Sequence, residues 1–238
     1  QAAVALVQLY LRSNQATKAV PVAEHLAKTF PMNAQYANLL GMAQGQSGNI
    51  QASRTAFEKA IALDGRYTQA VVNLARLEIA TKAYDTASNR LNALLKAGPK
   101  HSEAVTQLAV IADLSGKKAE AQRWLEKARD NAESHDHRFD LELVEFHLRH
   151  GDASAALDAA KAASAKTPDD VKVLMAYGRA SLAYGDSVSA KSLLTSATRL
   201  AEYDPELQVQ IAQLQVAANN LGGAAYSLEK ALSSRPGF

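Results

Sequence analysis

The sequence predicts an all-α chain built as a solenoid of seven helix–turn–helix units, and three observations predict it. A small residue recurs as Ala19, Ser53, Ala87, Ala121, Ala156, Ala190 and Ala224, in steps of 34, 34, 34, 35, 34 and 34 residues. Two packing positions keep the same phase. Four residues on come Ala23, Phe57, Leu91, Leu125, Ala160, Leu194 and Leu228, and three beyond these come Leu26, Ala60, Leu94, Ala128, Ala163, Ala197 and Ala231. Third, a proline closes four of the units, as Pro31, Pro99, Pro168 and Pro236. A period of this length belongs to stacked helical repeats, in which one unit buries too little to fold alone and its neighbours complete the core.

The units run approximately 1–33, 34–67, 68–101, 102–136, 137–170, 171–204 and 205–238, each with a first helix, a short turn and a second helix. In the first helices apolar residues return at spacings of three and four: Leu74, Ala75 and Leu77 with Tyr84 in the third unit, Leu143, Val144 and His147 in the fifth. Breakers mark the turns at Gly48-Asn49, Gly116-Lys117, Gly151-Asp152, Gly185-Asp186 and Asn219-Asn220. Asp152 and Asp186 are suited to cap the helices that follow, because a short carboxylate can accept from unpaired backbone N–H groups. Three departures stand out. The extra residue falls near Glu133-Ser134-His135-Asp136, at a joint without a closing proline. The second helix of unit five is almost all alanine (Ala153, Ala155, Ala156, Ala159, Ala160, Ala162, Ala163, Ala165), which secures helix formation and thins packing. Pro21 lies inside the second helix of unit one, where a local bend is expected.

Composition removes several classes of function. Lysine and arginine number 26 against 24 acidic residues, interspersed as in Lys117, Lys118, Glu120, Arg123, Glu126 and Lys127, so no nucleic-acid or anionic-membrane partner is expected. There is no cysteine, hence no disulfide, thiol catalysis or thiolate metal site. No apolar run reaches the roughly 18 residues a membrane span needs. The sequence opens at Gln1 within a helical pattern and closes at Phe238 on the last position of a repeat. Both ends are therefore expected to be cuts in a longer array, with any targeting segment upstream of Gln1. The seven units occupy the whole of 1–238 as a single array, leaving no stretch for a catalytic domain, and no enzyme activity or cofactor is expected.

The candidate chemical motifs read as structural. His135, His137, His147 and His150 lie close in sequence, but His137 and His150 stand about 20 Å apart along a helix rising 1.5 Å per residue. His147 replaces an inward aromatic and His150 precedes the turn at Gly151, so no metal site is expected. Gly41, Gly45 and Gly48 follow no strand and precede no Lys-Ser or Lys-Thr, which argues against a phosphate-binding loop. Asp169-Asp170 follows Pro168 at a helix start, where acids cap rather than catalyse.

The whole chain resembles tetratricopeptide repeat proteins, most clearly in Asn38-Leu39-Leu40-Gly41 and Phe57-Glu58-Lys59-Ala60-Ile61-Ala62-Leu63-Asp64. The resemblance implies a right-handed superhelical α-solenoid, a non-catalytic scaffold whose first helices line a concave groove for a protein or peptide partner. One groove row reads Val4, Asn38, Val72, Thr106, Leu141, Met175 and Val209. A second, seven residues on, reads Leu11, Gly45, Ile79, Asp113, Leu148, Leu182 and Val216. Between them lie Gln8, Met42, Arg76, Val110, Glu145, Arg179 and Gln213. An apolar floor carrying charges is expected in units three and five to seven, with Asn73, Arg76, Ile79, Leu141, Glu145, Leu148, Arg149, Met175, Arg179 and Leu182 as the protein-binding residues. The family's carboxylate-clamp subset carries a Lys/Asn/Asn/Lys/Arg set. Asn73 matches one member, but Val4 and Gln8 stand where Lys and Asn are needed. A narrower likeness lies in Ala121-Gln122-Arg123-Trp124-Leu125-Glu126-Lys127-Ala128-Arg129 within an Ala- and Leu-rich array. It is similar to the tetratricopeptide lipoproteins of bacterial PEP-CTERM exopolysaccharide systems. That likeness implies a periplasmic, lipid-anchored protein serving polysaccharide biosynthesis or export. The alternatives are a cytosolic adaptor or co-chaperone, and the substrate-recognition arm of an enzyme.

The insertion and the alanine-rich helix together predict a soft joint. Amides of 153–165 are expected to exchange with solvent faster than those of 85–97, as local opening is easiest where apolar packing is thin. Equal protection by hydrogen-exchange mass spectrometry overturns this.

Overall fold

The computed structural model describes residues 2–98, 100–133 and 135–235. Gln1, Pro99, Pro236, Phe238 and Ser134 of the inserted joint, all used in the sequence reading, lie outside the described residues. Fourteen helices and no strand occur among the described residues. They are α1 (Ala2–Arg12), α2 (Ala16–Thr29), α3 (Ala34–Gln46), α4 (Ile50–Leu63), α5 (Thr68–Ala80), α6 (Tyr84–Ala97) and α7 (Ser102–Leu114), followed by α8 (Lys118–Asn131), α9 (Arg138–Arg149), α10 (Ala153–Lys166), α11 (Val171–Tyr184), α12 (Ser187–Leu200), α13 (Pro205–Ala217) and α14 (Leu221–Ser234). Each expected unit holds one odd- and one even-numbered helix. The chain divides into two compact units, one up to Trp124 and one from Leu125, and the boundary falls inside α8 rather than in a linker.

The turn between the two helices of every unit has one geometry. A residue in the left-handed region ends the first helix: Asn14 (φ 55°), Gly48 (87°), Lys82 (61°), Gly116 (75°), Gly151 (71°), Gly185 (93°) and Asn219 (51°). Two backbone bonds close over it. In the second unit Gly48 N–H donates to Gly45 O at 3.1 Å and Asn49 N–H to Gln44 O at 2.9 Å. This is the Schellman arrangement, and it satisfies carbonyls that a helix end would leave unpaired. Asn14, Lys82 and Asn219 hold the position without glycine. Asp152 and Asp186 cap as expected, accepting from Ala155 and Ser189 N–H at 3.1 and 2.9 Å. Asp170, Asp204, Asn33 and Asn220 do the same for α11, α13, α3 and α14. α2 runs without interruption through the exposed Pro21.

The repeated small residues are buried in every unit, from Ala19 to Ala224. The position four residues on is buried in six and exposed at Leu228 (42%). Its volume is matched from the first helix. A Cβ on Gly41 would stand 2.5 Å from the Phe57 ring, and one on Gly178 3.0 Å from Leu194. In the fifth unit the sizes reverse: fully buried Val144 shares a cluster with Ala160 and Leu157. The thin packing expected of α10 is thus corrected at this layer, because the volume alanine gives up is supplied from α9. What is left to soften α10 is the joint before α9. There Asp136 accepts from Arg138 Nε and Nη2 at 2.9 and 2.7 Å, and that guanidinium lowers its carboxyl to about 2.

A polar row runs through the second-helix side of the first helices. Its members Gln44, Glu78, His147, Ser181 and Gln215 are buried, with Ala112 in the same phase. Their carbonyls are those that accept the longer turn bond. Glu78, fully buried, accepts from Arg90 Nη2 and Nε at 2.8 and 3.0 Å on α6 and from Arg54 Nη1 at 3.3 Å on α4. Gln44 donates to Glu24 at 2.9 Å, and Gln215 joins Thr198 and Ser227. Through Glu78 and Gln215 the row links α4 to α6 and α12 to α14, whereas the Ser181 hydroxyl has no partner among the described residues.

The exchange of volume between α9 and α10 is testable. Ala160→Leu alone should cost about 1–3 kcal/mol by overpacking. Adding Val144→Ala should recover much of that loss, a coupling of at least about 1 kcal/mol in a urea-denaturation double-mutant cycle. Additive effects would show that the two positions do not share one volume.

Candidate protein-binding faces of the first helices

On the side of each first helix away from the polar row, one position recurs with its side chain exposed or half-buried. Gln8, Met42, Arg76, Val110 and Gln213 are exposed, and Glu145 and Arg179 are half-buried. The flanking rows are largely packed. Val72 and Ile79 are buried, and Leu141, Leu148, Met175 and Leu182 are half-buried against the cores of their own hairpins. Val216, 54% exposed, is the flanking residue most open to solvent.

In the first compact unit the face is built around amides. Asn73, 8% exposed, donates from Nδ2 to Asn38 Oδ1 at 3.0 Å, while its own Oδ1 accepts from Gln69 and Arg76 at 3.3 Å each. Asn38 Nδ2 donates to the Tyr67 hydroxyl at 3.4 Å, and burial pushes that hydroxyl's pKa up, keeping it neutral. The Arg76 guanidinium is tethered through Nη1 to Asn73, and its Nη2 stands 4.0 Å from Glu103. Asn73 is thus a buried support for Arg76. Ile79 belongs to a core cluster with Leu91 and Leu108 and offers little surface. Asn38, Tyr67 and Gln69 are members the sequence reading missed. The available signal was a pair of asparagines in adjacent first helices, where a poor helix former needs a reason.

In the second compact unit the face carries an ion pair between repeats. Arg179 Nη2 on α11 donates to Glu145 Oε2 on α9 at 2.6 Å, with side chains 40% and 39% exposed. Leu141 and Leu148 flank Glu145 on α9, and Met175 and Leu182 flank Arg179 on α11. Arg149 is exposed at the end of α9. The histidines lie in different surroundings. His135 faces Glu133 at 3.3 Å in solvent, and His137 Nε2 lies 3.6 Å from Asp170. His147 is buried, and its ring and that of His150 pack on Phe146 at 5.5 and 4.6 Å between centroids. Among the described residues no three His, Asp or Glu side chains converge as a metal site would require. No helix among them is long and apolar enough to cross a membrane.

Two family models, each described as tetratricopeptide repeat, match residues 4–67 and 46–111. Residues 4–111 are therefore tetratricopeptide repeats. Beyond the matched residues the turns and small-residue anchors keep the same phase to Asn219 and Ala224. Solved structures agree in fold. A tetratricopeptide repeat protein from Parabacteroides merdae is 17% identical with a TM-score of 0.60, over 98% of this chain and 92% of that one. PilF of Pseudomonas aeruginosa is 19% identical with a TM-score of 0.59, over 87% and 94%. A chain of the APC/C hetero-tetramer Cut9–Hcn1 is 16% identical with a TM-score of 0.59 over 98% of this chain, which spans only 46% of that one. No curated protein matches. Tetratricopeptide repeat proteins are generally non-catalytic scaffolds that bind protein or peptide partners, and the fold supports that role here.

The two charge systems differ in environment, so they should differ in weight. Glu78→Ala should cost on the order of 3 kcal/mol, since it leaves two half-buried guanidiniums facing an empty site. Glu145→Ala should cost less than about 1 kcal/mol, its partner being screened by water. Urea denaturation of both variants checks this, and equal losses would refute the distinction.

Proposed function

We propose that this protein is a non-catalytic interaction scaffold that binds an acidic and apolar segment of a partner along its first-helix face, in bacterial exopolysaccharide biosynthesis or export at the periplasmic side of the envelope. The observation that carries the binding mode is the recurring row Gln8, Met42, Arg76, Val110, Glu145, Arg179 and Gln213, exposed or half-buried in every repeat. A rigid packed scaffold there presents a variable series of side chains between half-buried leucines and methionine. Arginine among apolar neighbours suits a carboxylate held in fixed orientation, because the guanidinium offers a planar set of donors. Arg179 already makes one such bond, to Glu145, at a site half open to water. A ligand carboxylate can therefore compete for it at little cost. The segment Ala121–Arg129, similar to the lipoproteins of exopolysaccharide systems, supports the cellular context.

The test begins with peptides selected from a displayed random library against the intact protein. Selected peptides should combine acidic and apolar residues and bind in a salt-dependent way. Replacing Arg76, Arg149 and Arg179 together by Ala should weaken them at least about tenfold, remove the salt dependence, and leave stability within about 1 kcal/mol. Unchanged affinity, or peptides that map to the second helices, would reject this face. A large loss of stability would assign the arginines to structure instead. For the context, the gene product upstream of Gln1 should carry a signal peptide with a lipid-accepting cysteine. A fused catalytic domain there would contradict the scaffold reading.

A further inference from the structure

The last repeats carry a second feature, on the other side of α13 from Gln213 and independent of the first-helix face. A pocket of about 280 Å³ opens beside α12 and α14, lined by Thr195, Ser196, Thr198, Arg199, Gln215, Gly223, Tyr226 and Lys230. The volume lies near the lower end of the range for ligand pockets, about 300–1,000 Å³. It suits a ring-sized molecule rather than a length of polypeptide.

The lining is chemically one-sided. It holds two cations, four hydroxyls, an amide and an aromatic ring, and no carboxylate. Arg199 makes no hydrogen bond or ion pair with any described residue, although Glu202 lies in the next turn of chain. Lys230 reaches Glu202 only at 3.8 Å, with the glutamate side chain 54% exposed. Its Nζ stands 5.4 Å from the centre of the Tyr226 ring.

The inner wall is polar and buried. Gln215, 1% exposed, donates from Nε2 to Thr198 Oγ1 at 3.1 Å and accepts at Oε1 from Ser227 Oγ at 2.9 Å. A primary amide carries two N–H groups. The second one on Gln215 has no acceptor among the described residues, and a buried donor without a partner costs free energy that a ligand oxygen would recover.

We propose that this pocket binds a small hydroxylated carboxylate of the size of one acidic sugar ring. The carboxylate is paired by Arg199 and Lys230 through charge-assisted hydrogen bonds. Ring hydroxyls meet Thr195, Ser196, the Tyr226 hydroxyl and the second N–H of Gln215, and the less polar ring face lies against Tyr226.

The experiment is an NMR titration of the intact protein with glucuronate, glucose and inorganic phosphate in parallel, following the Gln215 side-chain amide. Glucuronate should shift that resonance saturably with a dissociation constant of about 1 mM or tighter. Glucose should bind at least about tenfold more weakly, and so should phosphate. Arg199→Ala should weaken glucuronate at least about tenfold, one charge-assisted contact in free-energy terms. Arg199→Lys should restore part of the loss, and Arg76→Ala in the first compact unit should change nothing. Should Arg199→Ala lower the melting temperature, Lys230→Gln replaces it, with the same direction expected. The proposal is overturned if glucuronate does not saturate by about 20 mM, if glucose or phosphate binds as well, or if neither cation variant weakens binding.

Discussion

Every repeat hangs on one turn. The carbonyl of a residue near the end of the first helix accepts a bond from the residue five further on, across a residue held in the left-handed region. The seven accepting carbonyls belong to Tyr10, Gln44, Glu78, Ala112, His147, Ser181 and Gln215, with bond lengths of 2.8 to 2.9 Å. Reversal of the chain within two or three residues forces the second helix back along the first, so the same face of each is buried in every unit. The 34-residue period follows, and the single 35-residue step is absorbed before α9 rather than within a hairpin.

That constraint places a side chain as well as a carbonyl. The residue that accepts the turn bond points toward the second helices and is buried in six of the seven units. An unsatisfied buried group is costly, and three polar residues of the row find partners beyond their own helix, whereas the buried Ser181 hydroxyl has none among the described residues. Glu78 finds two arginines, Gln44 finds Glu24 and Asn49, and Gln215 finds Thr198 and Ser227. Such contacts require particular residues on two other helices. They therefore favour one order of repeats over others more than they add stability, in the way argued for buried polar groups generally.

The proposed partner face is confined to what that packing leaves over. One row of the first helices stays open or half-open to solvent while most of its flanking residues are drawn into the hairpin cores, so those positions can vary at little cost to the fold. Charge at those positions is of a different kind from the charge at Glu78. The Glu145–Arg179 pair is short but half open to water, and water can replace either partner.

The period, the all-helical class, the caps at Asp152 and Asp186 and the small anchors could be read directly from residue type and spacing, because they follow from local geometry that repeats. The exposed row including Arg76 and Arg179 was legible for the same reason. Asn38 and Tyr67 near Asn73 were not, nor was the trio at Glu78, because these bonds join residues 12 to 35 positions apart whose side-chain directions only the packed helices set. Ile79 looked like groove floor and is core, since the neighbouring first helix covers it. Val144 and Ala160 show the limit most directly. Alanine content alone reads as thin packing, whereas density depends on the sum of facing volumes, and that sum exists only once α9 lies on α10.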